Sequence, residues 1–589
     1  MKKSLILLAT FLLGTLSATA QAQNFYICDN GNDSNDGRTE ATPFKSYEKA
    51  MDTFNKMDAG DSVLYCRGGV FQQTKSVYLY NKSCDASKAC TIADYGNENL
   101  PKPMIVSNGH TSIRFQEGQN ADPDGGYIVK NLTLIGNGDK NSKAHGIHFY
   151  NDVDDVLIEN LHIEGFRTGI ALLTSGALNP GTNGFNDRVK IRNNVVMNNW
   201  WQGLGGSCQD CIIEGNMFEN NGFAQRIFGH NIYIADGKGA KGITIRNNTL
   251  YKSGHFGGEC SGTSLVAHGK LYDLVIDGNT VKEDKGTVSG NCWGIQLAPG
   301  YGHEEEYFVN SVIRNNKVIN LGGLAIGCAS CDGVLIEGNE VIGEHPELGG
   351  GIRVPSSPED SRKSNNVRIK NNKIILNSPT SKGIIIGGPN KITVENNDIQ
   401  IPSDTRSECF MRIDANAITD VSVNTCSLHN GVSVIDIIES ETEVVENTPE
   451  EPVVTEPEPE TEVVENTPEV PVEVPAVTEP EPETEVVENT PEVPVEEPVV
   501  TEPEPETEVV ENTPEVPVEE PTVTEPEVVD SGDNNETVTT FQRPSWANQR
   551  PVGSGNFTLD SLNESMQNDY SNESASECRF FARGRCLIR

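Results

Sequence analysis

Val189-Lys-Ile-Arg-Asn-Asn194 decides the fold, because its pattern returns as Cys211-Ile-Ile-Glu-Gly-Asn216, Ile243-Thr-Ile-Arg-Asn-Asn248, Leu274-Val-Ile-Asp-Gly-Asn279 and Val334-Leu-Ile-Glu-Gly-Asn339. Further copies are Val156-Leu-Ile-Glu-Asn160, Val312-Ile-Arg-Asn-Asn316, Val367-Arg-Ile-Lys-Asn-Asn372 and Ile392-Thr-Val-Glu-Asn-Asn397. Alternation of apolar and polar residues marks a strand with one buried face. The closing asparagine suits a turn, because it tolerates left-handed backbone and hydrogen-bonds locally. Between copies a second alternating strand starts after a small or polar residue, at Gly146-Ile147, Gly169-Ile170, Gly203-Leu204, Asn231-Ile232, Ser264-Leu265, Gly294-Ile295, Gly351-Ile352 and Gly383-Ile384. A period of roughly 22 to 36 residues, two or three strands per turn and almost no helical pattern identify a β-solenoid. One coil cannot bury its own apolar face, so coils must stack at ~4.8 Å per step.

Working outward, residues 23–125 read as a cap with the first coils: a strand from Phe25 to Cys28, a helical pattern near Tyr47 to Met57, and a strand from Ser62 to Cys66. Residues 126–430 are the parallel β-helix. At 431–530 the composition changes to a repeated Thr-Glu-Val-Val-Glu-Asn-Thr-Pro-Glu unit starting at Thr442, Thr461, Thr484 and Thr507. Proline throughout and charge of one sign predict a disordered acidic segment. Residues 531–589, ending in Arg579-Phe-Phe-Ala-Arg-Gly-Arg-Cys586, carry no readable role. At the other end, Lys2 and Lys3 precede an apolar run from Leu5 to Leu16 and small residues at Ala18, Ala20 and Ala22. This predicts a signal peptide over 1–22 and a secreted, periplasmic or cell-surface location.

The net charge of -41 is local to the acidic segment, where residues 441–530 hold 31 Asp and Glu and no Lys or Arg. The rest is only mildly acidic and lacks the basic stripe of a nucleic-acid partner. No later stretch is a transmembrane segment, and nothing asks for a second subunit, so a monomer is expected. The 14 cysteines fall into neighbours, Cys28-Cys66, Cys84-Cys90, Cys208-Cys211, Cys260-Cys292, Cys328-Cys331, Cys409-Cys426 and Cys578-Cys586. Disulfides are the expectation in an oxidising compartment, although spacing alone leaves the connectivity open. Zinc is the rival reading for the two Cys-x-x-Cys pairs, but four coils, ~19 Å, separate them, so they cannot share one ion.

The opening Asn32-Asp-Ser-Asn-Asp-Gly37, followed by Thr42-Pro-Phe44 and Gly60-Asp-Ser-Val63, together with the repeat over 24–430, resembles the pectate-lyase-like superfamily of right-handed parallel β-helix proteins. The resemblance implies an all-β fold and an extended polysaccharide as partner. It leaves the reaction open, because lyases, hydrolases, epimerases and binding proteins share the scaffold. The Asn-Thr-Asp pattern of polygalacturonases and the Asp-Pro-His of mannuronan epimerases are absent, and Arg368-Ile-Lys370 belongs to the repeat.

Stacking turns the second strand into outward columns: His148, Ala171, Gly205, Tyr233, Val266, Gln296, Gly327, Arg353, Ile385, and two residues further on Tyr150, Leu173, Ser207, Ala235, His268, Ala298. Tyr233 and His268 become diagonal neighbours on adjacent coils. With His230 they are the candidate catalytic groups, since elimination from a uronate needs a base, an acid for the leaving oxygen and a cation for the carboxylate. Asn231, Arg226, Lys270, Gln296 and Arg353 are candidate substrate-binding residues, and Trp200 and Trp201 a candidate sugar-stacking surface. His148, three coils from Tyr233, stands too far away to share its proton transfer. Glu304, Glu305 and Glu306 read as a solvated acidic loop. No cofactor is certain; calcium at Asp152, Asp154 and Asp155 competes with an ordinary Asp-rich turn. The reading is a polysaccharide lyase, with a non-catalytic glycan-binding or adhesive protein on an acidic stalk as the alternative.

Overall fold

Each copy of the repeat supplies three short strands, and each strand pairs in parallel with its equivalents one coil before and after. In a computed structural model of the protein, residues 22–116, 125–150, 152–173, 184–299, 306–343, 349–356, 362–378, 380–387, 391–402, 409–412, 421–428, 581–582 and 585–586 are described. The expected signal peptide, the acidic segment, Glu304, Glu305 and the Cys578–Cys586 pairing lie outside them. The first sheet runs from Asn24–Ile27 to Ile392–Glu395, the second from Tyr78–Leu79 to Phe410–Arg412, and the third from Val70–Gln72 to Thr425–Leu428. Parallel strands joined by crossovers wind right-handed. The molecule is a right-handed parallel β-helix.

The core is built of columns. Ile158, Ile191, Ile213, Ile245, Ile276, Ile313, Ile336, Ile369 and Val394 follow one another in register down the first sheet, none more than 1% exposed. β-Branched residues fit this stack because their stiff side chains lie well on a pleated surface.

The Asn-Asn and Gly-Asn pairs that end the repeat divide their labour. The first member takes the left-handed turn, as at Asn193 (φ 57°), Gly215 (φ 64°), Asn247 (φ 55°) and Gly278 (φ 65°). The second is buried and builds a ladder. Nδ2 of Asn194 donates to Oδ1 of Asn216, and so on through Asn248, Asn279, Asn316, Asn339, Asn372 and Asn397 to Asn424, each bond 2.8–3.0 Å. The turn logic read from sequence therefore belongs to the preceding residue; the ladder asparagine satisfies buried backbone groups instead.

The helix Tyr47–Phe54 closes the first coil with Tyr47, Ala50, Met51 and Phe54 buried, and Ser46 caps its N-terminus by accepting from the Lys49 amide. Asn81 Nδ2 donates to the carbonyls of Phe54 and Met57 just past its end. Among the described residues six disulfides join Cys28–Cys66, Cys84–Cys90, Cys208–Cys211, Cys260–Cys292, Cys328–Cys331 and Cys409–Cys426. Each Cys-x-x-Cys pair is thus closed on itself, which removes its sulfurs from zinc binding. Among the described residues no helix is long and apolar enough to cross a membrane.

Candidate functional site

The second sheet carries the outward column in the order read from sequence. His148 pairs with Ala171, Ala171 with Gly205, Gly205 with Tyr233, Tyr233 with Val266, Val266 with Gln296, Gln296 with Gly327, Gly327 with Arg353, and Arg353 with Ile385. Arg114 precedes His148 in the same register, so Tyr233 stands midway between two arginines.

At that midpoint three rings meet. His230 stacks on Tyr233 with centroids 5.3 Å apart, and Tyr233 lies 5.5 Å from the ring of His268. Their strands explain the meeting: Gly205, with the Gln202 side chain lying over it, pairs with Tyr233 from the preceding coil, while Ala235 pairs with His268 on the next. Tyr233 and His230 are each 5% exposed, so the cluster is a lined recess rather than an open surface. Nδ1 of His230 lies 2.8 Å from the Thr263 carbonyl. A carbonyl only accepts, so Nδ1 carries the proton and Nε2 keeps its lone pair. Burial pulls His230 down to about 4, so the imidazole is neutral at physiological pH. Burial, with the Glu306 charge adding to it, pushes the Tyr233 phenol well above its ordinary range and keeps it protonated.

Glu306 was not expected here. It is 3% exposed, its Oε2 accepts from the Gly269 amide at 3.0 Å, and the same oxygen stands 3.7 Å from Nδ1 of His268. This member of the acidic loop is therefore a buried neighbour of the cluster, not a solvated side chain. Gly269 sits in left-handed backbone (φ 96°), which turns its N–H toward that carboxylate.

Several expected ligands are placed elsewhere. Asn231 is fully buried and accepts from Asn221 Nδ2 in a second ladder that starts at Asn199, so it holds the corner of the coil rather than a sugar. Gln296 is also fully buried, its Nε2 bound to the Leu324 carbonyl. Trp200 is 8% exposed and stacks on Trp201, whose ring lies 3.7 Å from the Arg167 guanidinium, so this pair is wall rather than open platform. Arg226 is exposed in a loop whose backbone carbonyl receives Ser261 Oγ. Lys270 lies just past Gly269, in register with Tyr307. The calcium candidate dissolves into an ion-pair cluster: Arg188 holds Asp154 at 3.0 Å and Asp155 at 2.7 Å, and Asp152 accepts from the Gly184 amide. Where three metal-capable donors do converge among the described residues, two are disulfide cysteines.

A second cationic and aromatic cluster stands toward the N-terminal end of the same face. The rings of His145 and His148 lie 4.9 Å apart, and the Arg114 guanidinium sits over Tyr78 and Tyr150 at 4.4 and 5.3 Å. Burial, with Arg167 and Arg114 nearby, pulls His145 down to about 3. Burial likewise pulls His148 well down, so both imidazoles are neutral.

No protein family matches the chain. Among curated proteins it is similar to a lacto-N-biosidase of Bifidobacterium longum subsp. longum, 23% identical over 359 residues, which cover 55% of this chain and 20% of that protein. The chain thus spans about a fifth of the length of that relative. Among solved structures it is similar to the A-module of a mannuronan C-5 epimerase of Azotobacter vinelandii (15% identical, TM-score 0.44, 64% of this chain and 95% of that one). A lacto-N-biosidase from Eubacterium ramulus is 16% identical at TM-score 0.42, covering 69% of this chain and 68% of that one. By fold the chain stands with the right-handed parallel β-helix proteins. Its three sheets and their register establish that independently of any neighbour.

Proposed function

We infer that the protein is a carbohydrate-active enzyme that cleaves an anionic, uronate-bearing polysaccharide by β-elimination. The observation that carries this reading is a neutral His230 stacked on a protonated Tyr233, with His268 and Glu306 beside them. Elimination removes the proton on the carbon next to the carboxylate and expels the glycosidic oxygen, which takes up a proton, leaving a carbon–carbon double bond. His230 suits the base, since Nε2 has a lone pair and Nδ1 is fixed by Thr263. Tyr233 suits the acid that protonates the leaving oxygen. His268, with Glu306 behind it at 3.7 Å, suits the group that meets the substrate carboxylate, because its ring is partly open and an imidazole N–H can donate to it. The His268 side chain is 22% exposed, the most open of the three rings, and marks the side from which substrate arrives.

A second reading, glycoside hydrolysis, is favoured by the similarity to lacto-N-biosidase. Glu306 would then supply one of the two carboxylates that hydrolysis requires. The deciding experiment incubates the protein with alginate, pectate, glycosaminoglycans and milk-type oligosaccharides while following ultraviolet absorbance and new reducing ends together. Elimination raises both signals. Reducing ends without absorbance would replace elimination by hydrolysis, and neither signal with retained binding would leave a glycan-binding protein.

A further inference from the structure

Trp293 lies one column aside from Tyr233 and belongs to neither the core nor the catalytic cluster. It opens the strand Trp293–Leu297 in register with Thr263, whose carbonyl receives His230 Nδ1–H. The indole therefore stands two rungs past His230, ~10 Å at the solenoid spacing. It is half-buried and pinned: Nε1–H donates to the Gly290 carbonyl at 3.2 Å, and the ring lies against Gly323, where a Cβ would stand 2.1 Å from Cδ1 and 2.2 Å from Nε1. A half-buried ring whose Nε1–H is already satisfied leaves apolar ring surface for a flat apolar partner. The apolar face of a pyranose fits it.

Beyond it Leu324 pairs with Gly350 and Gln296 with Gly327, where the Gln296 and Ser356 side chains lie over the glycine, and the column then reaches Arg353. Arg353 is four rungs past Tyr233, ~19 Å. Its Nε donates to the Pro355 carbonyl at 2.9 Å, and among the described residues no carboxylate neutralises it. Burial alone acts on the guanidinium. A half-buried cation without a counter-ion, on the face that carries the catalytic cluster, is suited to an anion supplied by a ligand.

We propose that Trp293 and Arg353 form the binding track for the part of the polysaccharide beyond the reacting sugar, one ring lying on the indole and a more distant carboxylate held by the guanidinium. The assignment rests on the anionic-polysaccharide reading and holds whether the chemistry is elimination or hydrolysis. Binding of the full chain to polygalacturonate, alginate and a neutral β-glucan is titrated over a range of salt, for wild type, Trp293→Ala, Trp293→Phe, Arg353→Gln and Arg353→Lys, with thermal unfolding of each variant. Trp293→Ala should weaken binding about tenfold and Trp293→Phe less. Arg353→Gln should weaken only the charged polymers, about tenfold, and flatten their salt dependence, with Arg353→Lys retaining part of both. Equal binding by Trp293→Ala and wild type, or an unchanged salt dependence in Arg353→Gln, overturns the track even if wild type degrades the polymer. Lost binding in both variants with no product from wild type upholds the track and removes the catalytic reading. A wild type that holds no polyuronate removes both.

Discussion

Glu306 Oε2 lies 3.7 Å from Nδ1 of His268 and accepts the Gly269 amide, so a buried carboxylate serves the most exposed ring of the cluster while also facing Tyr233 electrostatically. This gives the pH profile a defined form. Activity should fall as pH drops through about 4, where His230 takes up a proton and its Nε2 lone pair is lost. It should fall again at high pH, where Tyr233 loses its proton, later than for an ordinary phenol because burial and the Glu306 charge raise it. In Glu306→Gln the charge is gone and burial remains, so the alkaline limb should move to lower pH. A pH–rate profile of the two proteins tests this, and an unmoved alkaline limb would detach Glu306 from Tyr233.

Tyr233→Phe keeps the ring against His230 and His268 and deletes only the phenolic proton. Turnover should fall ~100-fold or more with binding little changed. Paired kinetics and titration on the polymer that wild type cleaves measure it. Undiminished turnover would send the search for the acid to His268.

The two aromatic positions separate by opposite readouts. Trp200, 8% exposed beneath the Trp201–Arg167 stack, should behave as core: Trp200→Ala should cost ~3 kcal/mol or more of stability and leave polysaccharide affinity near wild type once folded. Trp293→Ala should do the reverse. Denaturant unfolding beside binding titration distinguishes them.

The column from His148 to Ile385 was legible because strand alternation and coil stacking together fix which residues face out, and neither needs tertiary detail. Trp293 was also within reach of that logic. Residues just before the small position, Gln202, His230 and Trp293, form a further column, visible once the register is extended by one residue. Glu306 was not legible: three consecutive glutamates look alike, and only the Gly269 amide and the start of the Tyr307–Val309 strand select the last for burial. Asn231 and Gln296 were misjudged for one reason. Side-chain type suggested a ligand, while the Asn199–Asn221–Asn231 ladder engages Asn231 and full burial with Nε2 on the Leu324 carbonyl withdraws Gln296 from the surface.

The ladder offers the sharpest test of how the coil is held. Asn248 Nδ2 donates to Asn279 Oδ1 and to the Ile213 carbonyl, while its own Oδ1 accepts from Asn216 Nδ2 and the Asn216 amide. Asn248→Ala removes four buried hydrogen bonds at once, each worth ~1 kcal/mol, and takes the acceptor from the Asn216 amide, while Asn216 Nδ2 keeps the Ile191 carbonyl and Asn279 Oδ1 keeps the amide of residue 248; stability should fall by several kcal/mol. The preceding Asn247 makes its contribution through left-handed backbone (φ 55°) on the exposed side of the turn. Asn247→Gly should therefore be nearly neutral, since glycine takes that conformation freely, whereas Asn247→Val should cost ~1 kcal/mol or more. Chemical denaturation of the three variants gives the order directly. If Asn247→Gly proved as damaging as Asn248→Ala, the division between turn residue and ladder residue would be wrong, and the exposed amide would have to carry a load that the geometry places on the buried one.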